Sequence, residues 1–222
     1  IIAVPTETVY GLAGNAYSNK SVKRIYSLKK RPKKNPLIIH YYNLDLLKKD
    51  AKYDKNFLKL YKKFSPGPLT YVLKKRKSSK VSKFANAKLK TIAVRFPSHP
   101  LTRKVLKKIN FPLAAPSANI STKISAVSPE DVKDEFGKKI KFILDGGISS
   151  IGLESTIVSL IKKPQILRLG GIEISKINKA LKINLKFNKK KKKKLHFFIF
   201  FIDLVNEHAT IFCVTQCVSP YL

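Results

Sequence analysis

The sequence predicts an α/β domain on three observations. Short apolar segments alternate with amphipathic ones, and proline or hydroxyl residues mark where the amphipathic ones begin. The 222 residues, 44% of them hydrophobic, suffice for one sizeable core. Period-two or continuously apolar patterns place strands near residues 1–4, 36–42, 69–74, 91–96, 112–115, 142–144, 155–161 and 165–169. Between them, Val22, Ile25, Tyr26 and Leu28 line one face of a helix starting near Lys20, and Phe57, Leu58, Tyr61 and Phe64 line a second. Pro100 takes the first helical position of a third, with Leu101, Val105 and Ile109 inward. Ser128-Pro129-Glu130-Asp131 is the plainest start signal, an N-cap hydroxyl, a proline and two acids in the first turn. The domain is expected over residues 1–185, without internal repeats.

Charge is the strongest compositional feature. Forty lysines and six arginines against thirteen acids give a formal net charge of +33. A surface this basic attracts polyanions such as nucleotides and RNA through a salt-sensitive field. The accompanying Ile, Asn and Phe are residues of A- and T-rich codons, so base composition accounts for the lysine equally well. Against that background the scarce arginines carry more information. Arg31, Arg95 and Arg168 stand where a planar, bidentate fork has a use.

No stretch reaches the roughly 18 consecutive apolar residues that a membrane span requires. The first residues lack the charged segment and cleavage site of a secretory signal. Two cysteines, Cys213 and Cys217, cannot build a disulfide framework, so a reducing cytoplasm is expected, and with no His or further Cys at ligand spacing they are read as inert. The absence of methionine implies that the true N-terminus precedes Ile1. Residues 186–194, including the six lysines Lys189–Lys194, are expected to be a solvated linker. The aromatic run that follows is too short to span a bilayer. Because six lysines imply a long adenine tract, residues 195–222 are expected to be out of frame or otherwise non-native.

Several segments carry chemistry. Pro5-Thr6-Glu7-Thr8-Val9-Tyr10-Gly11-Leu12 follows the first strand and offers hydroxyls, an acid and a glycine that permits close backbone approach; an ordinary strand-to-helix loop would read the same way. Residues 29–37, KKRPKKNPL, cluster cations around a planar arginine, which suits a polyphosphate or a solvated loop. His40 lies in the next strand, where a satisfied core histidine is the commoner outcome. Residues 66–70, PGPLT, form a rigid turn into a strand, with a structural job. Arg95, in the otherwise apolar Thr91–Pro97 segment, requires an anion, and a carboxylate is the expected partner. Ala115-Pro116-Ser117-Ala118-Asn119 ends a strand in small residues against which a flat ligand can lie. Glu154-Ser155-Thr156-Ile157 and Arg168-Leu169-Gly170 add hydroxyls and the third arginine. None of these is a P-loop or a dinucleotide glycine fingerprint.

In their order and wording, PTETVYGL, KKRPKKNPL, PGPLT, VRFP, APSAN and ESTI, with RLGG closing, resemble the YrdC-like family of threonylcarbamoyl-AMP synthases over about residues 1–171. The glycine-containing lead-in before the first strand is absent, and the tail does not resemble the linker and second domain of longer members. The resemblance implies a single YrdC-like domain, with a twisted mixed β-sheet flanked by helices, and a nucleotidyltransferase. Such an enzyme makes threonylcarbamoyl-AMP and pyrophosphate from L-threonine, bicarbonate or CO2, and ATP, for threonylcarbamoyladenosine in tRNA. It further implies that Thr8, His40, Arg95, the Ala115 backbone and Ser155 hold threonine. Arg31, Asn35, Thr91, Ser117, Ser125 and Arg168 would hold ATP, with Lys29 and Arg31 the catalytic pair on the phosphates. Ser125 fits its motif least well, because Ile124 stands where the family often has proline.

The residue chemistry agrees with those roles. A carboxylate suits Arg95, while Lys29, Arg31 and Mg²⁺ carried by ATP suit developing charge on pyrophosphate, with no prosthetic group. A transfer of this kind depends on positioning and charge neutralisation, so no nucleophilic side chain is needed. The implied partners are the small substrates, a downstream threonylcarbamoyl transferase, and tRNA or double-stranded RNA, with no membrane. Competing readings are a non-catalytic RNA-binding module, a damaged copy, and a carbamoyl-transfer domain of the hydrogenase-maturing kind. The last would need acylphosphatase-like and zinc-finger segments upstream.

Overall fold

The computed structural model describes residues 1–187. The linker beyond residue 187, the tail 195–222 and both cysteines lie outside the described residues. A nine-stranded sheet in the order β1-β2-β7-β3-β6-β5-β8-β9, with β4 added beside β5, organises the chain. Its strands are β1 (Ile2–Val4), β2 (Gly11–Asn15), β3 (Ile38–His40), β4 (Ala51–Lys52), β5 (Leu69–Lys75), β6 (Thr91–Arg95), β7 (Leu113–Ala114), β8 (Thr156–Ser159) and β9 (Gln165–Arg168). Pairs β3–β6 and β5–β8 run parallel and the rest antiparallel, so the sheet is mixed as expected.

Helices α1 (Asn19–Leu28), α2 (Leu44–Asp50), α3 (Lys55–Phe64), α4 (Pro100–Lys108), α5 (Pro129–Phe136) and α6 (Ile174–Leu181) flank the sheet. Four begin at a side-chain cap, with Ser18, Asn43, Asp54 and Ser128 each accepting a hydrogen bond from the backbone three residues on. Ser128 and Asp131 complete a reciprocal capping box, with Pro129 at the first position as the sequence predicts. Helix α1 buries Val22, Ile25 and Tyr26. Tyr10, Tyr41, Tyr71, Phe57 and Phe96 are the largest fully buried aromatic side chains of the core. Phe57 packs edge-on to Tyr71 at 5.0 Å, and Tyr61 edge-on to Phe96 at 4.8 Å.

Several expectations need correction. The segment after β1 is not a strand-to-helix loop: Gly11–Asn15 turns back as β2, in register Val4↔Gly11. Glycine and alanine at three of its five positions hide the alternation that would announce a strand. Residues 142–144 form only an isolated bridge, Ala3↔Ile143, and leave Phe142 65% exposed. In α3 the inward residues are Phe57 and Leu60, and Leu58 faces solvent. In α4 the buried positions are Thr102 and Leu106, one step on from the predicted stripe, because Thr102 turns its hydroxyl onto the Pro5 carbonyl. Helices α2 and α6 and the two-residue β4 were not expected. Asn43 ahead of Leu44 and the spacing of Ile174, Ile177 and Leu181 are the signals that could have found the two helices.

Candidate functional site

The β1–β2 connection is a knot of hydroxyls. The Thr6 hydroxyl donates to the Val9 carbonyl at 2.6 Å and accepts from the amides of Thr8 and Val9. The Thr8 hydroxyl lies 2.8 Å from that of Thr6, a hydrogen bond that ties it into the same knot. The loop is pinned from outside by the Ile151 amide on the Glu7 carbonyl at 2.9 Å. Tyr10 adds a second anchor: its hydroxyl donates to the Gly147 carbonyl and accepts from the Gly146 amide.

Glu7 answers the demand made by Arg95. The Arg95 Nη2 donates to Glu7 Oε1 at 2.8 Å, both side chains nearly buried, and the Ser98 amide donates to Oε2 at 3.0 Å. Burial alone would raise the Glu7 carboxyl, but Arg95 and these hydrogen bonds hold it below the usual carboxylate range. Arg95 also donates from Nε to the Gly67 carbonyl at 3.4 Å, so the PGPLT turn does more than shape the chain. His40 lies directly across the parallel β3–β6 register from Arg95. Complete burial, with Arg95 nearby, lowers its pKa to about 3, so the ring is neutral, and its Nδ1 has no hydrogen-bond partner among the described residues. A buried polar atom without a protein partner is uncommon and calls for an explanation.

Arg168, at the end of β9, grips the start of β8. Its Nε donates to the Ser155 carbonyl and its Nη2 to the Ser155 hydroxyl, each at 3.0 Å, while Nη1 pairs with Glu154. The Ser155 hydroxyl is also 2.8 Å from that of Thr70 on β5. Lys29, at the C-terminal end of α1, is fully buried, and its Nζ donates to the carbonyls of Ser117, at 2.6 Å, and Asn119. Burial, assisted by Arg31, lowers this amine to about 7. Arg31 donates to the carbonyls of Asn35 and Pro36, each at 3.1 Å, and lies within electrostatic reach of Glu154 and Arg168.

These elements line a narrow, half-open pocket. Thr8, His40, Arg95, Ala115 and Ser155, the five residues expected on one substrate, all line it, together with Ser117 and Arg168. Lys29, Arg31, Asn35, Thr91 and Ser125 do not. Lys29 stands behind Ser117, and Ser125 reaches Glu154 from its hydroxyl at 3.4 Å. Thr91 opens β6 four residues before Arg95, about 13 Å along the strand. The register Ile38↔Ala93, continued backwards, sets Thr91 beside Pro36 at the edge that also carries Arg31 and Asn35. Glu7 and Glu154 were missed as site residues. For Glu7 the signal was the buried arginine's need of an acid; for Glu154 it was its place directly before Ser155.

Hydroxyls, the His40 imidazole and two arginine forks wall one small pocket, with further cations behind it. The chain belongs to the Sua5/YciO/YrdC family, whose model, described as "Telomere recombination", matches residues 1–170. It is 44% identical to the threonylcarbamoyl-AMP synthase of Pyrococcus abyssi over 185 residues, 82% of this chain and 53% of that protein. It is 40% identical to the Bacillus subtilis protein of the same name over 183 residues, again 82% of this chain and 53% of that one. The crystal structure of P. abyssi Sua5 complexed with L-threonine superposes with a TM-score of 0.78 at 43% identity, covering 83% of this chain and 55% of that one. The chain thus spans about half the length of these relatives. Among the described residues no helix is long and apolar enough to cross a membrane.

Proposed function

We propose that the chain carries the catalytic domain of a threonylcarbamoyl-AMP synthase, a cytoplasmic nucleotidyltransferase that serves threonylcarbamoyladenosine formation in tRNA. The observation that carries the reading is the convergence of Thr8, His40, Arg95, Ala115 and Ser155 on one pocket beside the Arg168 fork. In this reading L-threonine lies with its carboxylate toward Arg95 and its hydroxyl and amine toward the short polar side chains and the neutral His40. ATP lies toward Ser117, Ser125, Arg168 and the cations Lys29 and Arg31, with Asn35 and Thr91 at its outer edge. The amine attacks bicarbonate-derived CO2 to give an N-carboxylate. That carboxylate displaces pyrophosphate at the α-phosphorus, with charge neutralisation supplying most of the help.

In this reading Mg²⁺ enters as the companion of ATP. Its chemistry would be to shield charge on the departing pyrophosphate. The intermediate passes to a threonylcarbamoyl transferase, and tRNA or double-stranded RNA is a further partner that the charge suits. Pyrophosphate release by the full chain, measured with and without L-threonine and bicarbonate, tests the reading. Release that needs both supports it. A folded chain that releases none, while binding tRNA in a salt-dependent way, is an RNA-binding module instead.

A further inference from the structure

Glu154 is a carboxylate set among the cations Arg168, Arg31 and Lys29, and its side-chain contacts fall on residues of the nucleotide side. Its Oε2 pairs with Arg168 Nη1. Its Oε1 accepts from the Ser125 hydroxyl at 3.4 Å. Burial alone would raise this carboxyl, but Arg168 first, then the Ser117 hydroxyl and the charges of Lys29 and Arg31, hold it below the usual range. It also lines the pocket, with its side chain 35% exposed.

The backbone beneath it is clamped by the strand that carries Arg168. The Gly171 amide donates to the Glu154 carbonyl at 3.0 Å. Gly170 packs so closely on the same stretch that a Cβ there would stand 2.6 Å from the Ser155 carbonyl carbon and from the Thr156 nitrogen. Three of the five N–H donors of Arg168 are engaged, two on Ser155 and one on Glu154. The two that remain, one on each terminal nitrogen, belong to a fork whose rotation is already fixed. Without Glu154, Nη1 would lose its anchor, and only the two bonds to Ser155 would hold the fork.

We propose that Glu154 is a positioning residue that orients Arg168, with Ser117 and Ser125, to receive the triphosphate. It touches the reacting atoms at no point. It sets the angle of the arginine fork and offsets the mutual repulsion of Arg168, Arg31 and Lys29 while the site is empty. The inference rests on the synthase reading and adds a residue to it.

The test compares wild type, E154Q, E154D and R168A as full chains, measuring MgATP and L-threonine affinity by calorimetry and the KM of each substrate by pyrophosphate release. E154Q keeps the shape and removes the charge. Its MgATP dissociation constant should rise about tenfold or more, the size of a lost charge-assisted hydrogen bond, while that for threonine moves less than about threefold. E154D should recover part of the loss. In the double variant with R168A, E154Q should add little, because the residue it acts through is gone. An unchanged or tighter MgATP affinity in E154Q overturns the proposal, as does a parallel loss for both ligands with a lowered unfolding temperature. If E154Q does not fold, E154D decides: full wild-type affinity together with additive effects of E154D and R168A overturns it. A wild-type chain that binds neither ligand overturns the synthase reading and this role together. An active wild type with an indifferent E154Q overturns this role alone.

Discussion

Among single residues, Arg31 makes the sharpest test of the synthase reading, under which its planar fork would answer charge on the departing pyrophosphate. Under the synthase reading, Arg31→Ala should cost about 2–4 kcal/mol of transition-state stabilisation, seen as a fall in kcat/KM for ATP. A near-normal rate would reduce Arg31 to surface charge. Lys29 makes a test in stability. Its amine titrates near 7 in the folded chain and near its ordinary 10.5 when unfolded, so between those values the unfolded state holds the extra proton. Stability from this group therefore rises with pH across that window, by up to about 1.4 kcal/mol per pH unit. Urea unfolding of wild type and Lys29→Met at pH 7 and pH 9 should show the wild type gaining on the variant; parallel shifts would contradict a depressed amine. Burial, with Arg31 nearby, causes the shift, and it cannot be read from a lysine in a lysine-rich string. Arg95 was more legible, since a guanidinium in an apolar strand needs an anion, and Glu7 supplies it at 2.8 Å. Which acid would do so was hidden, because the two are 88 residues apart and only the β1–β2 turn brings them together.

At the scale of elements, legibility followed chemistry. The start of α5 was readable to the residue, because a cap, a proline and two acids act locally. Ser128→Ala should lower stability by about 1 kcal/mol, measured by denaturant titration with an unchanged m-value. Strand β2 was hidden by its small residues, and the face of α4 was misread because a threonine took a buried position for its hydrogen bond. The β9 turn gives the strongest prediction of this kind. Gly170→Ala forces a Cβ against the backbone of residues 154–156, so those residues must move. Affinity for both substrates should fall together, since Ser155 and Glu154 shift as one. Retained affinity for either would show that the strands can separate without cost to the site.

For the whole molecule, charge and topology set the terms. A net charge of +33 makes the compact state repel itself, so added salt should stabilise it. Raising sodium chloride from about 50 to about 500 mM should increase the unfolding midpoint, while weakening any polynucleotide complex. The sheet class was legible from alternating elements, whereas the strand order was not. The parallel β5–β8 pairing joins Thr70 to Ile157, far apart in the chain, and no local pattern encodes such a partner. Stability and site assembly thus share the same long-range pairings.

The gripping of β8 by Arg168 has a consequence for how the protein comes into being. Residues 8, 40, 95 and 115 leave the ribosome well before residue 168, yet the pocket wall they help to form lacks its closing strand until β9 arrives. A nascent chain halted before that strand has an open sheet edge at β8 and half a cleft, a form exposed to proteases and chaperones rather than to substrate. Competence to bind therefore comes late and all at once, when the final antiparallel strand docks.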